Sequence, residues 1–207
     1  MIKPDFLKRF LRTCGWGLGL SLEIVILASV ALEPAEAETE LVWHNCLTRE
    51  VFTPDKQVWC DRWQTLQDGT FTVPTSLDPN PTFTTVALEN GRYAQQDGQF
   101  IVELVNERGW LAFGDLDGDG QDDAAVIFGV ALDPDGKAVA TYLTAVLDVD
   151  GAAQALTPVR LGERIVLNAP IAIAENRIII PFLTSTEVIN RSYGIDTTLR
   201  EMAKPVN

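Results

Sequence analysis

Histidine is almost missing from the sequence: His44 is the only one among 207 residues. With a single imidazole, a His-rich zinc site has no ligands, and a Ser-His-Asp arrangement has one candidate base at most. Basic residues are scarce as well, 16 Lys+Arg against 29 Asp+Glu, for a net charge of −13. So acidic a chain lacks the clustered cations that phosphate contacts require, which argues against nucleic acid as a partner. There is no Gly-x-Ser-x-Gly, no His-Glu-x-x-His and no phosphate-binding glycine loop. Gly and Pro, 15 and 11 residues, are too few for a low-complexity chain. The rest, 46% hydrophobic and 22% charged, is the composition of an ordinary globular protein.

An uninterrupted membrane span is lacking too. Lys3, Lys8, Arg9 and Arg12 make a basic start, an apolar stretch runs from Trp16 to Leu32, and Ala35-Glu36-Ala37 follows. Glu23 falls inside the apolar stretch. A charge at mid-bilayer costs about 2.5–3.5 kcal/mol, and a span needs about 20 apolar residues. Basic, apolar and A-x-A in that order is instead the pattern of a secretory signal. Residues 1–37 are therefore expected to be a signal peptide cleaved after Ala37. The rival is an uncleaved anchor, which would be the only expected membrane contact. Cys14 precedes the apolar run, badly placed for a lipobox, and is expected to leave with the signal. Four basic and four acidic residues leave with it, so residues 38–207 keep the whole charge of −13. They make a single exported domain, periplasmic or secreted, long enough for one core.

Cys46 and Cys60 then remain. An even count in an exported protein reads as a disulfide, and closing a loop of this length stabilises by up to about 3 kcal/mol. The alternative is a pair of free buried thiols. A zinc site would have only these two sulfurs and His44, with no fourth ligand. A lone His near a Cys is read as structural.

Residues 53–67 predict a helix. Thr53 can cap it, Pro54 suits its first position, and Trp59, Trp63 and Leu66 fall at i, i+4 and i+7. Segment 41–67 is thus expected to be a helical piece pinned by the disulfide. From Phe71 onward short β-branched or aromatic runs take over: 71–73, 84–88, 92–94, 100–105, 110–113, 124–132, 138–149, 164–167, 171–174 and 177–183. Asn90-Gly91, Asp97-Gly98, Asp135-Gly136, Asp150-Gly151 and Glu175-Asn176 punctuate them as tight hairpins do. Strands joined so closely must be antiparallel. The expected fold is mainly β (α+β): an antiparallel core over 70–185 with one short helix near the start of the mature chain. The tail after Ser185 shows no clear period and is expected to be partly mobile.

One motif carries chemistry. Residues 115–123 read Asp-Leu-Asp-Gly-Asp-Gly-Gln-Asp-Asp, five carboxylates in nine residues. Unneutralised, they would repel one another. Asp115, Asp117 and Asp119 occupy positions 1, 3 and 5 of a curled loop. Gly120 allows the turn, Gln121 would offer its backbone carbonyl, and Asp123 closes the ring. These are hard oxygen donors, which suit Ca²⁺ with its six to eight ligands, and Mg²⁺ less well. Exported calcium loops bind with dissociation constants of about 10⁻⁴–10⁻³ M. At tenfold excess, linkage then adds about 1.4 kcal/mol of stability. The ion is expected to be a staple and not a signal.

The loop is not an EF-hand. Position 12 is Val126, where an EF-hand has a bidentate Glu, and the flanks read as strands. Strand–loop–strand with Phe113-Gly114 directly before it resembles the calcium loops of FG-GAP and integrin-type repeats. Asp148-Val149-Asp150-Gly151 is only half a second copy and reads more simply as a hairpin turn, so a propeller is excluded. Leu66–Phe71, Val86–Tyr93, Ala112–Val126, Tyr142–Leu147 and Leu161–Gly162 together look like a family of small exported bacterial proteins of unassigned function. The match spans roughly residues 64–183. That resemblance implies export and the calcium loop, and no activity.

The expected function is a non-catalytic, calcium-stapled exported module that binds an envelope or extracellular partner. One alternative is a carboxylate-dependent hydrolase using Glu103 and Glu107, or Asp133 and Asp135. Another is a glycan binder using Trp43, Trp59 and Trp63. Aromatic residues at helical spacing are more simply core, and acid pairs in so acidic a chain are more simply solvated edges and turns.

Overall fold

The computed structural model describes residues 43–96, 98–132, 139–185, 187–196 and 198–202. The signal segment, Asp97, the Asp135-Gly136 turn and the Asp133/Asp135 pair lie outside them. The helix α1 (Pro54–Gln67) forms where its signals stand: the Thr53 hydroxyl accepts from the Lys56 amide at 3.3 Å, and Pro54 opens the first turn. Thirteen strands follow: β1 (Thr70–Pro74), β2 (Phe83–Ala87), β3 (Arg92–Ala94), β4 (Ile101–Leu104), β5 (Leu111–Gly114), β6 (Asp123–Ala131), β7 (Val139–Val149), β8 (Ala152–Ala155), β9 (Val159–Gly162), β10 (Ala172–Ala174), β11 (Arg177–Leu183), β12 (Val188–Ile195) and β13 (Leu199–Met202). Every pairing among them is antiparallel.

The long hairpin β6–β7 is the axis of a seven-stranded sheet. The other edge of β6 is shared by two short strands: β5 pairs Asp123–Val126 and β4 pairs Phe128–Ala131. On β7, β8 takes Val146–Val149 and β9 takes Thr141–Leu143 in the same way. A two-stranded sheet, β1-β2, and a four-stranded sheet, β10-β11-β12-β13, complete the architecture.

Alternation along β6 explains how these pieces stack. Ala124, Val126, Phe128 and Val130 join Trp63 and Leu66 of α1 and Phe71, Val73 and Val86 of β1-β2 in one core cluster. Ala125 and Ile127 point the other way, into a second cluster with Ile178, Ile180, Phe182, Tyr193 and Leu199 of the four-stranded sheet. Successive side chains of a strand face opposite sides. An unbroken apolar run such as 124–131 therefore means that both faces are covered. Phe128 stacks on Tyr142 at 5.7 Å and meets Phe71 at 6.4 Å. Burying a side chain of that size stabilises by about 1.5–3 kcal/mol.

The turns behave as their residues require. Asn90-Gly91, Asp150-Gly151 and Glu175-Asn176 all have positive φ at both positions. Three expectations need correction. The β core does not end at Ser185: β12 pairs with β11 from Val188 to Gly194, and β13 pairs with β12, so among the described residues β structure runs on to Met202. Residues 164–167 are not a strand; only Leu167 reaches Phe182, in a single bridge. The runs Ala152–Ala155 and Val159–Gly162 are strands that intrinsic preference did not reveal. They exist because β7 offers them an edge.

Candidate metal centre

The loop 115–123 joins β5 to β6 at the end of the central sheet where β7 also ends. Gly114, just before it, lies against β10. A Cβ there would come within 3.0 Å of the Ile173 side chain, so glycine lets the loop enter between the two sheets. Gly118 and Gly120 both have φ of +86°, the left-handed geometry that glycine adopts without penalty.

Side chains curl the loop through its own backbone. Asp115 Oδ1 accepts from the Gly118 amide at 2.7 Å and Asp115 Oδ2 from the Gly120 amide at 3.1 Å. Asp117 Oδ1 accepts from the Asp119 amide at 3.1 Å, and Asp119 Oδ1 from the Gln121 amide at 2.7 Å. Asp123, only 1% exposed, binds the framework: its Oδ2 accepts from the Leu116 amide at 2.8 Å and its Oδ1 from the Asp148 amide at 2.9 Å.

Three of the four expected carboxylates converge. Asp115, Asp117 and Asp123 each offer a carboxylate oxygen within 4.8 Å of the others, a group that could hold a metal ion. Asp119 is exposed and its carboxylate lies outside that group, tied instead to the Gln121 amide. A carboxylate oxygen has two lone-pair sites, so one that accepts a single N–H keeps a site for a cation. The donor set is all oxygen, which suits a hard divalent ion and not a thiophilic one.

Burial pushes the Asp123 carboxyl above its ordinary value, and the charges of Asp117 and Asp119 push the same way. The two backbone N–H bonds oppose them. A desolvated carboxylate among other carboxylates is costly, and a cation is the direct remedy.

The partners of two acidic residues, one inside the loop and one beside it, escaped sequence reasoning. Asp122 is paired with Arg62 of α1 at 2.8 Å. Asp148, whose Oδ1 accepts from the Gly151 amide at 2.8 Å in the β7–β8 turn, supplies the main-chain N–H that holds Asp123. The Asp148–Gly151 segment is thus a hairpin turn that also braces the loop. No local pattern links residues so far apart in sequence.

A cleft of about 190 Å³ beside the loop is lined by Arg62, Phe113, Asp122 and Asp123, among others. It is smaller than the roughly 300–1,000 Å³ usual for small-molecule sites. Glu103 is exposed, 4.0 Å from Arg92, and Glu107 is exposed as well. Trp63 is buried, and Trp59 sits half-buried within 6.4 Å of the rings of Trp43, His44, Trp63 and Phe113. The tryptophans thus form a packed cluster and not an open platform. Cys46 and Cys60 are bonded, with Cα atoms 5.6 Å apart. Among the described residues no helix is long and apolar enough to cross a membrane.

No family model, curated protein or solved structure matches the chain.

Proposed function

We propose that the protein is an exported, non-catalytic module stapled by one Ca²⁺ ion, which works by binding a partner in the cell envelope or outside the cell. The observation that carries this reading is the convergence of Asp115, Asp117 and the buried Asp123 within 4.8 Å. Asp119 and the Gln121 carbonyl complete the ligand set when the ion draws the loop in. Ca²⁺ is preferred to Mg²⁺ because a flexible all-oxygen loop does not impose tight octahedral geometry.

Export is supported by the Cys46–Cys60 disulfide, which persists in oxidising compartments. The basic, apolar, A-x-A order of the first 37 residues points the same way. So does the resemblance to small exported proteins with a single calcium loop. The small cleft and the exposure of Glu103 and Glu107 favour binding over hydrolysis.

Calorimetric titration of CaCl₂ into the metal-stripped protein tests the staple. One site with a dissociation constant of about 10⁻⁴–10⁻³ M is expected, and MgCl₂ should bind more weakly. No heat of binding, or tighter binding of Mg²⁺, would overturn the assignment.

A further inference from the structure

The four-stranded sheet covers the central sheet with one face and turns the other outward. Ile178, Ile180 and Phe182 of β11 point into the core, so by strand alternation Arg177, Ile179, Pro181 and Leu183 lie on the outer face. Their cross-strand partners share it. Val188 opposes Leu183, Ser192 opposes Ile179, and Met202 of β13 opposes Ser192 in turn. Val166, whose carbonyl accepts from the Leu183 amide at 2.8 Å, continues the row beyond β11. Val166, Leu183 and Val188 therefore stand side by side, and they are 54%, 46% and 47% exposed. Ile179 and Met202, half-buried, extend the apolar surface towards the other end of the sheet. The outward face of an antiparallel sheet ordinarily carries polar residues at such positions. Adjoining exposed aliphatic side chains mark an interaction surface instead.

The charges at its two ends point to the occupant. Arg177 and Leu183 bound β11, so they stand roughly 20 Å apart. Glu187, exposed in the turn before Val188, lies at the Leu183 end. Glu175 is exposed beside Arg177, and Arg164 is exposed two residues before Val166, so each end carries both signs. Arg200 is already paired with Asp196. A two-fold axis lying in this face and running across the strands sets the Arg177 end of one copy on the Glu187 end of another. Arg177 then meets Glu187, Glu175 meets Arg164, and the aliphatic row of each copy packs towards Ile179 and Met202 of the other. Such self-complementarity is what an isologous dimer requires. An anionic membrane surface offers no such match and would repel a chain of net charge −13.

We propose that the outer face of the four-stranded sheet is a homodimer interface, with two copies packed face to face about that axis. The face measures roughly 20 by 25 Å, or about 500 Å² a side. A standard interface has about 800 Å² a side, so this dimer is reversible, with a dissociation constant in the micromolar range. Asn176, at the Arg177 end, touches the acidic loop: a Cβ on Gly118 would come within 3.4 Å of its Nδ2. The two loops thus lie at opposite ends of the dimer. Two copies held in this way present the module's binding surface twice, and paired weak contacts gain from effective concentration. That consequence rests on the reading of the protein as a binding module, whereas the dimer itself rests neither on that reading nor on calcium.

Sedimentation equilibrium of the full purified protein from about 5 to 500 μM, in calcium and in EGTA, tests the interface. A monomer–dimer equilibrium is expected in both. Leu183→Thr with Val188→Thr, which keeps strand preference at exposed positions, should weaken association about tenfold or more without moving the melting temperature. Arg177→Glu and Glu187→Arg should each weaken it a few-fold, and the two together should restore it. A monomer throughout overturns the proposal. So does a dimer indifferent to the Thr substitutions, which would place association elsewhere in the chain. A combined charge swap that fails to restore the dimer overturns the two-fold arrangement. A dimer in a protein that shows no calcium response upholds the interface and sinks only the staple.

Discussion

Arg62 and Asp122 meet across sixty residues of chain, with Nη1 2.8 Å from Oδ2. The same guanidinium lies 5.5 Å from the centre of the Phe113 ring. One side chain of α1 thus touches β5 before the acidic loop and the loop's own last turn. Both partners of the ion pair are 40–49% exposed, so the pair itself contributes about 0–1 kcal/mol. Its larger effect is electrostatic. A fixed positive charge beside the loop opposes a second cation. Arg62→Ala should lower stability by no more than about 1 kcal/mol while tightening calcium binding a few-fold. Urea denaturation and calorimetric titration read the two effects separately. Weaker calcium binding in this variant would show that Arg62 acts by positioning the loop.

Asp117 and Asp123 should fail differently. Asp117 is exposed, and among the described residues its carboxylate accepts only from the Asp119 amide. Asp117→Ala should therefore melt like the calcium-free parent and show no difference with or without EGTA. Asp123→Ala leaves the amides of Leu116 and Asp148 without their acceptor in a buried setting. Each orphaned group costs about 1–3 kcal/mol, so this variant should be destabilised by roughly 3 kcal/mol even in EGTA. Equal losses for the two substitutions in EGTA would contradict the division between ion-binding and framework roles.

The acidic loop and its helix were legible because their chemistry is local. Carboxylates at alternate positions, glycine where φ is positive, and Thr53-Pro54 before a helix each declare themselves within a few residues. The ligand set was only partly legible. Spacing treats Asp115, Asp119 and Asp123 as equivalent, whereas the fold buries Asp123 at the start of β6 and leaves Asp119 in solvent. The four-stranded sheet was half hidden for a related reason. In β12, Val188 to Ile195 alternates weakly, and its exposed and half-buried residues follow from pairing with β11 rather than from their own preference. The run 124–131 did carry a signal of two covered faces, since an apolar strand with no polar alternation has no side to give to water.

Proton and calcium should compete at Asp123. Its carboxyl titrates above the ordinary 3.8 in the fold, chiefly through burial. A carboxyl raised in this way favours folding most below its unfolded value, and that contribution is lost as pH rises through the folded value. At neutral pH the metal-free protein therefore holds a buried carboxylate at a cost that calcium offsets. The rise in melting temperature on adding calcium to metal-stripped protein should be largest near neutral pH and should fade as acid protonates Asp123. A calcium increment that stays constant from acid to neutral pH would mean that Asp123 is not a ligand.

The disulfide should matter to α1 more than to the sheets. Cys60 is buried on the same helix as Trp59 and Trp63, and Cys46 ties the preceding segment across a separation of 14 residues. Opening a loop of that size costs about 3 kcal/mol by chain entropy. The β6–β7 hairpin and the four-stranded sheet share no covalent link with it. Reduction, or the Cys46→Ser/Cys60→Ser double variant, should lower stability by about that amount. Loss of protection should concentrate in residues 43–67 in amide hydrogen exchange. Because Arg62 rides on α1 beside the acidic loop, the reduced protein should also bind calcium slightly more tightly, as Arg62→Ala does. Uniform loss of protection across both sheets would show instead that the helix and the central sheet unfold as one unit.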